Sequence, residues 1–384
     1  MEGRDGLSMK RRAKKPSDLP EQILGDILCR LPVRSLVRFR CVSRSWNSLL
    51  SSHAFIKAHL KRSSELHAYD LVKFNDSAKS RLVICGVSSN EIKSLGDCCL
   101  LDQKIFQRFD LIDSCNGVLC LSTFQKDSPG NSSIILYNPS IREYKVLPQP
   151  SSGLSEFIGF GLDISTGYLD DLKIINVKLT LGTYPNLSSK VEVYSARKNS
   201  WKQLGDVFPM RQTMFLGKQV LFDKYICWCP YARLRCQVFE SNLLMYDLVR
   251  ESFSEMVLPS TMPLEKKYVM LLDGFLSIIA CKLRSRCYDV WTIKDFSIPE
   301  SWTMLYTIKD ATNDIFNYRP LGSTCSGNII FVRCFSSEQG YGSPKDLVSY
   351  KRESGWFEDL NLEVDSFYSS RLVRYVDSIN FPSY

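Results

Sequence analysis

The sequence predicts a two-part α + β chain: a small three-helix unit near the amino end, then a long all-β body of the propeller type with about six blades. Three observations carry this reading. Residues 19–32, LPEQILGDILCRLP, read as one apolar helix between two Leu-Pro pairs. From about residue 65 onward, short apolar runs alternate with polar turns, and an aromatic pulse returns about every 50 residues. Between Leu19 and Leu50 stand 14 large apolar residues, more than three short helices can hide from water.

In the helical unit, Leu19, Ile23, Leu24, Ile27, Leu28 and Leu31 fall at offsets 0, 4, 5, 8, 9 and 12, a single broad helical stripe. Pro20 suits a first helical turn, Glu21 sits at the positive end of the helix dipole, and Pro32 is expected to stop the helix. A second helix is expected over VRSLVRFR (33–40). A third is expected over SRSWNSLLSS (43–52), with Ser43 as its N-cap. Burying one large apolar side chain is worth about 1.5–3 kcal/mol, so several left exposed would pull the unit onto another surface. On the residues alone, that surface is either the β body of the same chain or a partner.

The β body carries its own rhythm. IILYNPSIREY places Tyr137 seven residues before Tyr144, VEVYSARKNSW repeats the spacing with Tyr194 and Trp201, and LLMYDLVRESF repeats it with Tyr246 and Phe253. LVSYKRESGW gives six, Tyr350 to Trp356, and the Trp291 to Trp302 stretch gives eleven. The pulses stand at 137, 194, 246, 291 and 350. Three or four strands per pulse is the content of a propeller blade, with the aromatics as wedge filling between blades. Gly-led apolar strands precede most pulses: NGVLCL (116–121), DGFLSII (273–279) and SGNIIFV (326–332). The strands YDLVKF, RLVICG and EIKSL (69–95) are expected to pair with the tail SRLVRYVDSI (370–379) and close the ring. A β-sandwich with long loops is the alternative.

Charge and residue usage narrow the function classes. The formal charge is +8, but residues 1–62 hold 14 Lys/Arg against 5 Asp/Glu, while the rest carries 35 against 36. A neutral body does not offer the clustered positive field that phosphate binding needs, so no nucleic-acid partner is expected. The apolar run 268–283 is interrupted by Asp273 and Gly274 and reads as two core strands rather than a membrane span. The first 18 residues lack a secretory apolar core. The 14 cysteines, none in a CxxC pair, are therefore expected to be reduced thiols. Cys227-x-Cys229 with Cys236 is read as core packing rather than zinc, and no metal or cofactor is expected. The three histidines, His53, His59 and His67, all lie at the junction. Residues 68–384 thus hold no Ser-His-Asp or Cys-His centre and no histidine-ligated metal. KRRAKK (10–15) reads as an import signal or as a basic tail.

LPEQILGDILCRLPVRSLVRFRCVSRSW resembles an F-box of the plant type, over residues 17–62 after a basic tail at 1–16. GFGLD, YNPSIREYKVLP, VEVYSARKNSW, YDLVRESF and ESWTMLYTI resemble recurring phrases of the plant F-box-associated domain, a kelch-like module, over 65–384. The double-glycine signature of true kelch repeats is missing. The resemblance implies a non-catalytic receptor whose helical unit docks on a Skp-type adaptor, and through it on a cullin-RING scaffold. The β domain would hold a target protein for ubiquitination and degradation. An adaptor-binding scaffold, or a self-incompatibility-type recognition protein without its own degradation target, is the alternative. Carried over residue by residue, Leu19, Pro20, Ile23, Ile27, Leu28, Leu31, Pro32 and Leu36 would form or support the docking face. Val42, Trp46 and Leu49 would do so from the last helix. Arg30, Arg34, Arg38, Arg40 and Arg44 would face an acidic adaptor or simply water. Such a protein is expected in the cytoplasm, the nucleus or both.

Overall fold

The computed structural model describes residues 20–66, 68–76, 79–85, 92–94, 108–124, 132–155, 157–167, 171–180, 188–205, 207–209, 214–216, 218–232, 242–263, 266–282, 285–309, 316–335, 345–364 and 370–382. The basic run 10–15 lies outside them.

Four helices open the described chain, one more than the sequence leads one to expect: α1 Glu21–Leu28, α2 Val33–Phe39, α3 Arg44–Leu50 and α4 His53–Leu66. Pro20 and Pro32 are the N-cap residues of α1 and α2. Pro32 thus begins a helix rather than ending one, and Leu31 lies past the end of α1. Ser43 caps α3 as expected, accepting from Trp46 N at 3.2 Å. Ser52 does the same for α4, accepting from Phe55 N at 3.3 Å.

Six four-stranded antiparallel sheets follow among the described residues, with one two-stranded extension pairing Met214–Leu216 with Pro230–Ala232. In spatial order, the first sheet is Arg371–Val376, Ala68–Asp76, Lys79–Cys85 and Ile92–Ser94. The second is Arg108–Cys115, Val118–Phe124, Ser133–Asn138 and Glu143–Val146, and the third is Phe157–Leu162, Leu172–Thr180, Ser188–Ser195 and Ser200–Gly205. The fourth is Val220–Phe222, Tyr225–Trp228, Leu243–Asp247 and Ser252–Met256. The fifth is Lys267–Leu272, Phe275–Lys282, Cys287–Ile293 and Trp302–Lys309, and the sixth is Phe316–Ser323, Ile329–Phe335, Lys345–Lys351 and Trp356–Glu363. Within the apolar run, Lys267–Leu272 and Phe275–Lys282 accordingly make a hairpin, and no described helix is long and apolar enough to cross a membrane.

Each sheet packs on the next, and the last returns to the first. Phe160 and Tyr194 of the third sheet meet Leu136 of the second, and Trp228 and Tyr246 of the fourth meet Ile175 and Val193 of the third. Met245 of the fourth shares a cluster with Ile278 and Trp291 of the fifth, and Val290 of the fifth one with Phe331 and Tyr350 of the sixth. Val72 of the first sheet meets Ile330 and Val332 of the sixth, while Val373 and Tyr375 meet Leu119 and Leu121 of the second. The tail strand does close the ring: Ala68 to Lys73 pair in register with Val376 to Arg371. A closed ring leaves each sheet covered on both faces, which is why second and third strands are buried along most of their length rather than at alternate residues, polar side chains such as Asn176, Glu192 and Asp289 included.

The aromatic pulse is the hairpin between the third and fourth strands. Tyr137 pairs with Tyr144, Tyr194 with Trp201 and Tyr246 with Phe253. In the sixth sheet Tyr350 pairs with Phe357, so the expected partner Trp356 is displaced by one and stands 64% exposed. In the fifth, Trp291 lies opposite Met304, and Trp302 opposite Ile293. Cys227 and Cys229 lie together in the core cluster between the fourth and fifth sheets; burial pushes the Cys229 thiol up to about 12 and raises Cys227 likewise.

Two of the Gly-led strands start from Asn116-Gly117 and Asp273-Gly274, both residues of each pair in the left-handed region. That is the turn whose twist matches paired strands. The two glycines differ in surroundings. A Cβ on Gly274 would meet nothing within 4 Å, whereas one on Gly117 would collide with Ser378 and lie 2.8 Å from Val376 O. Gly274→Ala is expected to cost about 1–2 kcal/mol for its backbone alone, and Gly117→Ala clearly more, read by urea unfolding. Asn138 is fully buried; its Nδ2 donates to Ser378 O at 2.9 Å and Asn380 O at 2.7 Å, and its Oδ1 accepts from Ser140 N. Asn138→Ala is expected to lose about 2–4 kcal/mol in the same measurement, since it orphans buried groups on both sides.

Candidate protein-docking site

The helical unit has a small core of its own. Leu28, Val33, Leu36, Leu50 and Phe55 are buried together, and two residues of the β body complete the cluster: Ile379 after the closing strand, and Ile141 from the turn after Asn138. His59 on α4 is buried beside them, with Nε2 3.2 Å from Leu31 O and its ring stacked on Phe55. It is a packing histidine; His53 is exposed, and His67 lies outside the described residues.

The apolar residues of α1 divide between two environments. Ile23 and Ile27, one turn apart, are 48% and 46% exposed, while Leu28 is 1% exposed. Val42, in the turn before α3, is 61% exposed, and Pro20 and Pro32 are exposed as well. Leu31, Trp46 and Leu49 are half-buried, with Trp46 edge-on to Phe39 at 5.3 Å. Leu28 and Leu36 are core residues that hold the unit in shape, the supporting part of the set expected for docking. Leu19 lies outside the described residues. Arg30, Arg34, Arg38 and Arg44 are exposed and Arg40 is half-buried. The unit rests on the ring through Ile141 and Ile379 and is not sealed against it.

Antiparallel strands send their connections alternately to the two faces of the ring. In the second sheet, the joins Cys115–Val118 and Asn138–Glu143 lie on the same face as the helical unit, because Ile141 sits in one of them. Asp247–Ser252, Leu272–Phe275 and Lys351–Trp356 are short joins on that near face. The opposite strand ends, among them Val146, Phe157, Gly205, Val220, Trp228, Leu243, Phe335 and Lys345, lie at the far face. Loops carried on rigid strands are where recognition is usually built.

At the far-face end of the ring axis lies a polar cluster that sequence spacing could not reveal. Lys73, fully buried, donates to Asp110 Oδ1 at 3.1 Å and pairs across strands with Arg371. Arg319 Nη2 donates to Ser370 O at 3.0 Å, and Lys218 Nζ reaches the same carbonyl. Gln219 Nε2 donates to Asp113 Oδ2 at 2.6 Å and to Phe160 O, and its Oε1 accepts from Phe160 N. Burial lifts the Asp113 carboxyl to about 6 against those bonds and nearby Arg371. Burial, then Arg319, Arg371 and Lys73, push the Lys218 ammonium far below its usual range, with Asp110 opposing. No group of three or more metal-ligating side chains occurs among the described residues.

Comparison with known proteins places the geometry in a family. Residues 16–57 match the F-box domain model, and residues 67–380 match the F-box associated beta propeller domain model. The chain is similar to F-box protein CPR1 of Arabidopsis thaliana, 27% identical over 79% of this chain and 76% of that protein. It is likewise similar to F-box/kelch-repeat protein At3g23880 of Arabidopsis thaliana, 27% identical over 81% of this chain and 84% of the other. Among solved structures, Aleuria aurantia lectin aligns with a TM-score of 0.45 at 13% identity, covering 78% of this chain and 93% of that one. With four N-terminal helices carrying exposed isoleucines and a ring of sheets closed by its own tail strand, this chain belongs to the family of F-box proteins with an F-box associated β-propeller domain.

Proposed function

We propose that this protein is the non-catalytic substrate-recognition subunit of a Skp–cullin–F-box ubiquitin ligase, its ring of four-stranded sheets serving as a six-bladed propeller. The observation that carries the reading is the exposure of Ile23, Ile27 and Val42 on a unit whose core is otherwise complete. Covering each would contribute about 1.5–3 kcal/mol at most, and a Skp-type adaptor is the partner that an F-box implies. The exposed arginines Arg30, Arg34, Arg38 and Arg44 suit an acidic adaptor face. Held this way, a target bound on the far face of the ring is kept near the ubiquitin-loaded enzyme that the cullin-RING scaffold brings, which raises the effective concentration of its lysines. The receptor itself supplies position and no chemistry. We place its action in the cytoplasm, the nucleus or both.

Co-purification with a Skp-type adaptor tests the docking. Ile23→Asp with Ile27→Asp is expected to abolish capture while shifting the unfolding free energy of the free chain by no more than about 0.5 kcal/mol. Leu36→Ala, inside the core, is expected instead to destabilise by about 2–5 kcal/mol. Undiminished capture by the double aspartate variant would overturn the assignment. The degradation role is tested by proteins labelled in proximity to the receptor: at least one should lengthen its half-life when the double aspartate variant replaces the natural chain, and should do so no further under proteasome block.

A further inference from the structure

We propose that Arg40 is the charge anchor of the helical unit's docking surface, its guanidinium taking a carboxylate of the partner, while Arg34 and Arg38 steer that acidic partner surface toward it. This rests on the adaptor-docking reading above and adds the chemistry of the contact. Residues 29–52 hold five arginines and no Asp or Glu. None of the five makes an ion pair among the described residues. Arg34 and Arg38 stand one turn apart on α2, both exposed, a like-charge pair of the kind that weakens a helix. No opposite charge within the stretch offsets that cost.

Arg40 is the C-cap residue of α2 and opens the turn that carries exposed Val42 and the capping Ser43. The side chain is half-buried; its Nε is buried and meets no acceptor, while the two Nη groups reach the surface and meet none either. Capping α2 is not its task. The carbonyls of Leu36, Arg38 and Phe39 already accept from the backbone N–H groups of Arg40, Cys41 and Val42, at 3.2, 3.2 and 3.1 Å. A buried donor without a partner is unfavourable, and an unbranched apolar side chain would avoid that cost at the same position. A carboxylate that accepts from both Nη groups makes the charge-assisted fork for which a guanidinium is suited. Because the stem is packed before the partner arrives, little side-chain freedom is left to lose on binding. The two kinds of arginine therefore act on different rates. Solvated Arg34 and Arg38 attract an acidic surface from a distance and are screened by salt. Arg40, beside Val42, is covered in the complex and holds it together.

Binding of the full chain to a purified Skp-type adaptor is followed in real time at low and high salt, beside urea unfolding of the free chain. Arg40→Met is expected to leave the urea midpoint unchanged or raise it, because it removes a buried donor that has no partner. The same variant is expected to speed dissociation about tenfold or more while association stays within about threefold. Arg40→Lys, a point charge without the fork, is expected to recover only part of the loss. Arg34→Glu with Arg38→Glu is expected to slow association about tenfold or more at low salt, less at high salt, and to leave dissociation within about threefold. Dissociation that Arg40→Met leaves unchanged, or a free chain that this substitution destabilises, overturns the anchor and leaves the docking reading standing. Association that the double charge reversal leaves unchanged overturns the steering. A natural chain that does not bind the adaptor overturns the docking reading and this proposal with it.

Discussion

The pairing of Arg371–Val376 with Ala68–Asp76 is the contact on which the rest of the structure depends. A stack of sheets is stable only if its two end faces are covered, and here each covers the other. The closing strand brings Val373 and Tyr375 into the second sheet's cluster, while Leu372 packs against the cluster shared with the sixth. It also delivers Ile379 to the helical unit and Ser378 and Asn380 to the amide of Asn138. One strand therefore joins ring, helices and the near-face turn into a single body.

That anchoring explains how the helical unit can be both ordered and incomplete. Leu28, Leu36, Leu50 and Phe55 find enough cover in each other and in Ile379 to set the helices. The opposite side of α1 receives nothing from the described residues of the ring, and Ile23 and Ile27 remain about half exposed. An unanchored unit of this size would have to collapse on its own apolar residues to stay folded. With support from behind, it keeps a greasy front.

Much of this was legible in the residues, and the failures have physical causes. The seven-residue aromatic spacing reports one hairpin used repeatedly, because a turn of constant length puts a constant interval between cross-strand partners. Tyr350 broke the rule on paper only: Trp356 and Phe357 are adjacent, and spacing alone could not choose the one facing inward. The left-handed residues Arg142 and Glu251 in these turns are of types that rarely enter that region, so nothing in their type announced them, whereas Asn199 is a type that enters it readily. Helix α4 escaped notice because its inward positions include His59 and Ser63, which blur an apolar stripe. The stripe of α1 was plain, yet its division between buried Leu28 and exposed Ile27 depends on Ile379, a contact from the far end of the chain. The axis cluster gathers residues from several sheets, and no local pattern links Lys73, Asp110, Lys218 and Arg319.

The strand that seals the circle is also the last of its strands to be made. During synthesis the helices and the three strands from residues 68–94 emerge early, and they wait unpartnered until the ribosome reaches residues 371–379. Throughout that interval the backs of α1 and α2 lack Ile379 and their fronts are open. A message cut short just before this point would yield a chain with nearly every sheet present, an unpaired edge on Ala68–Asp76 and uncovered faces beside it, a form suited to clumping rather than to a milder version of the native fold.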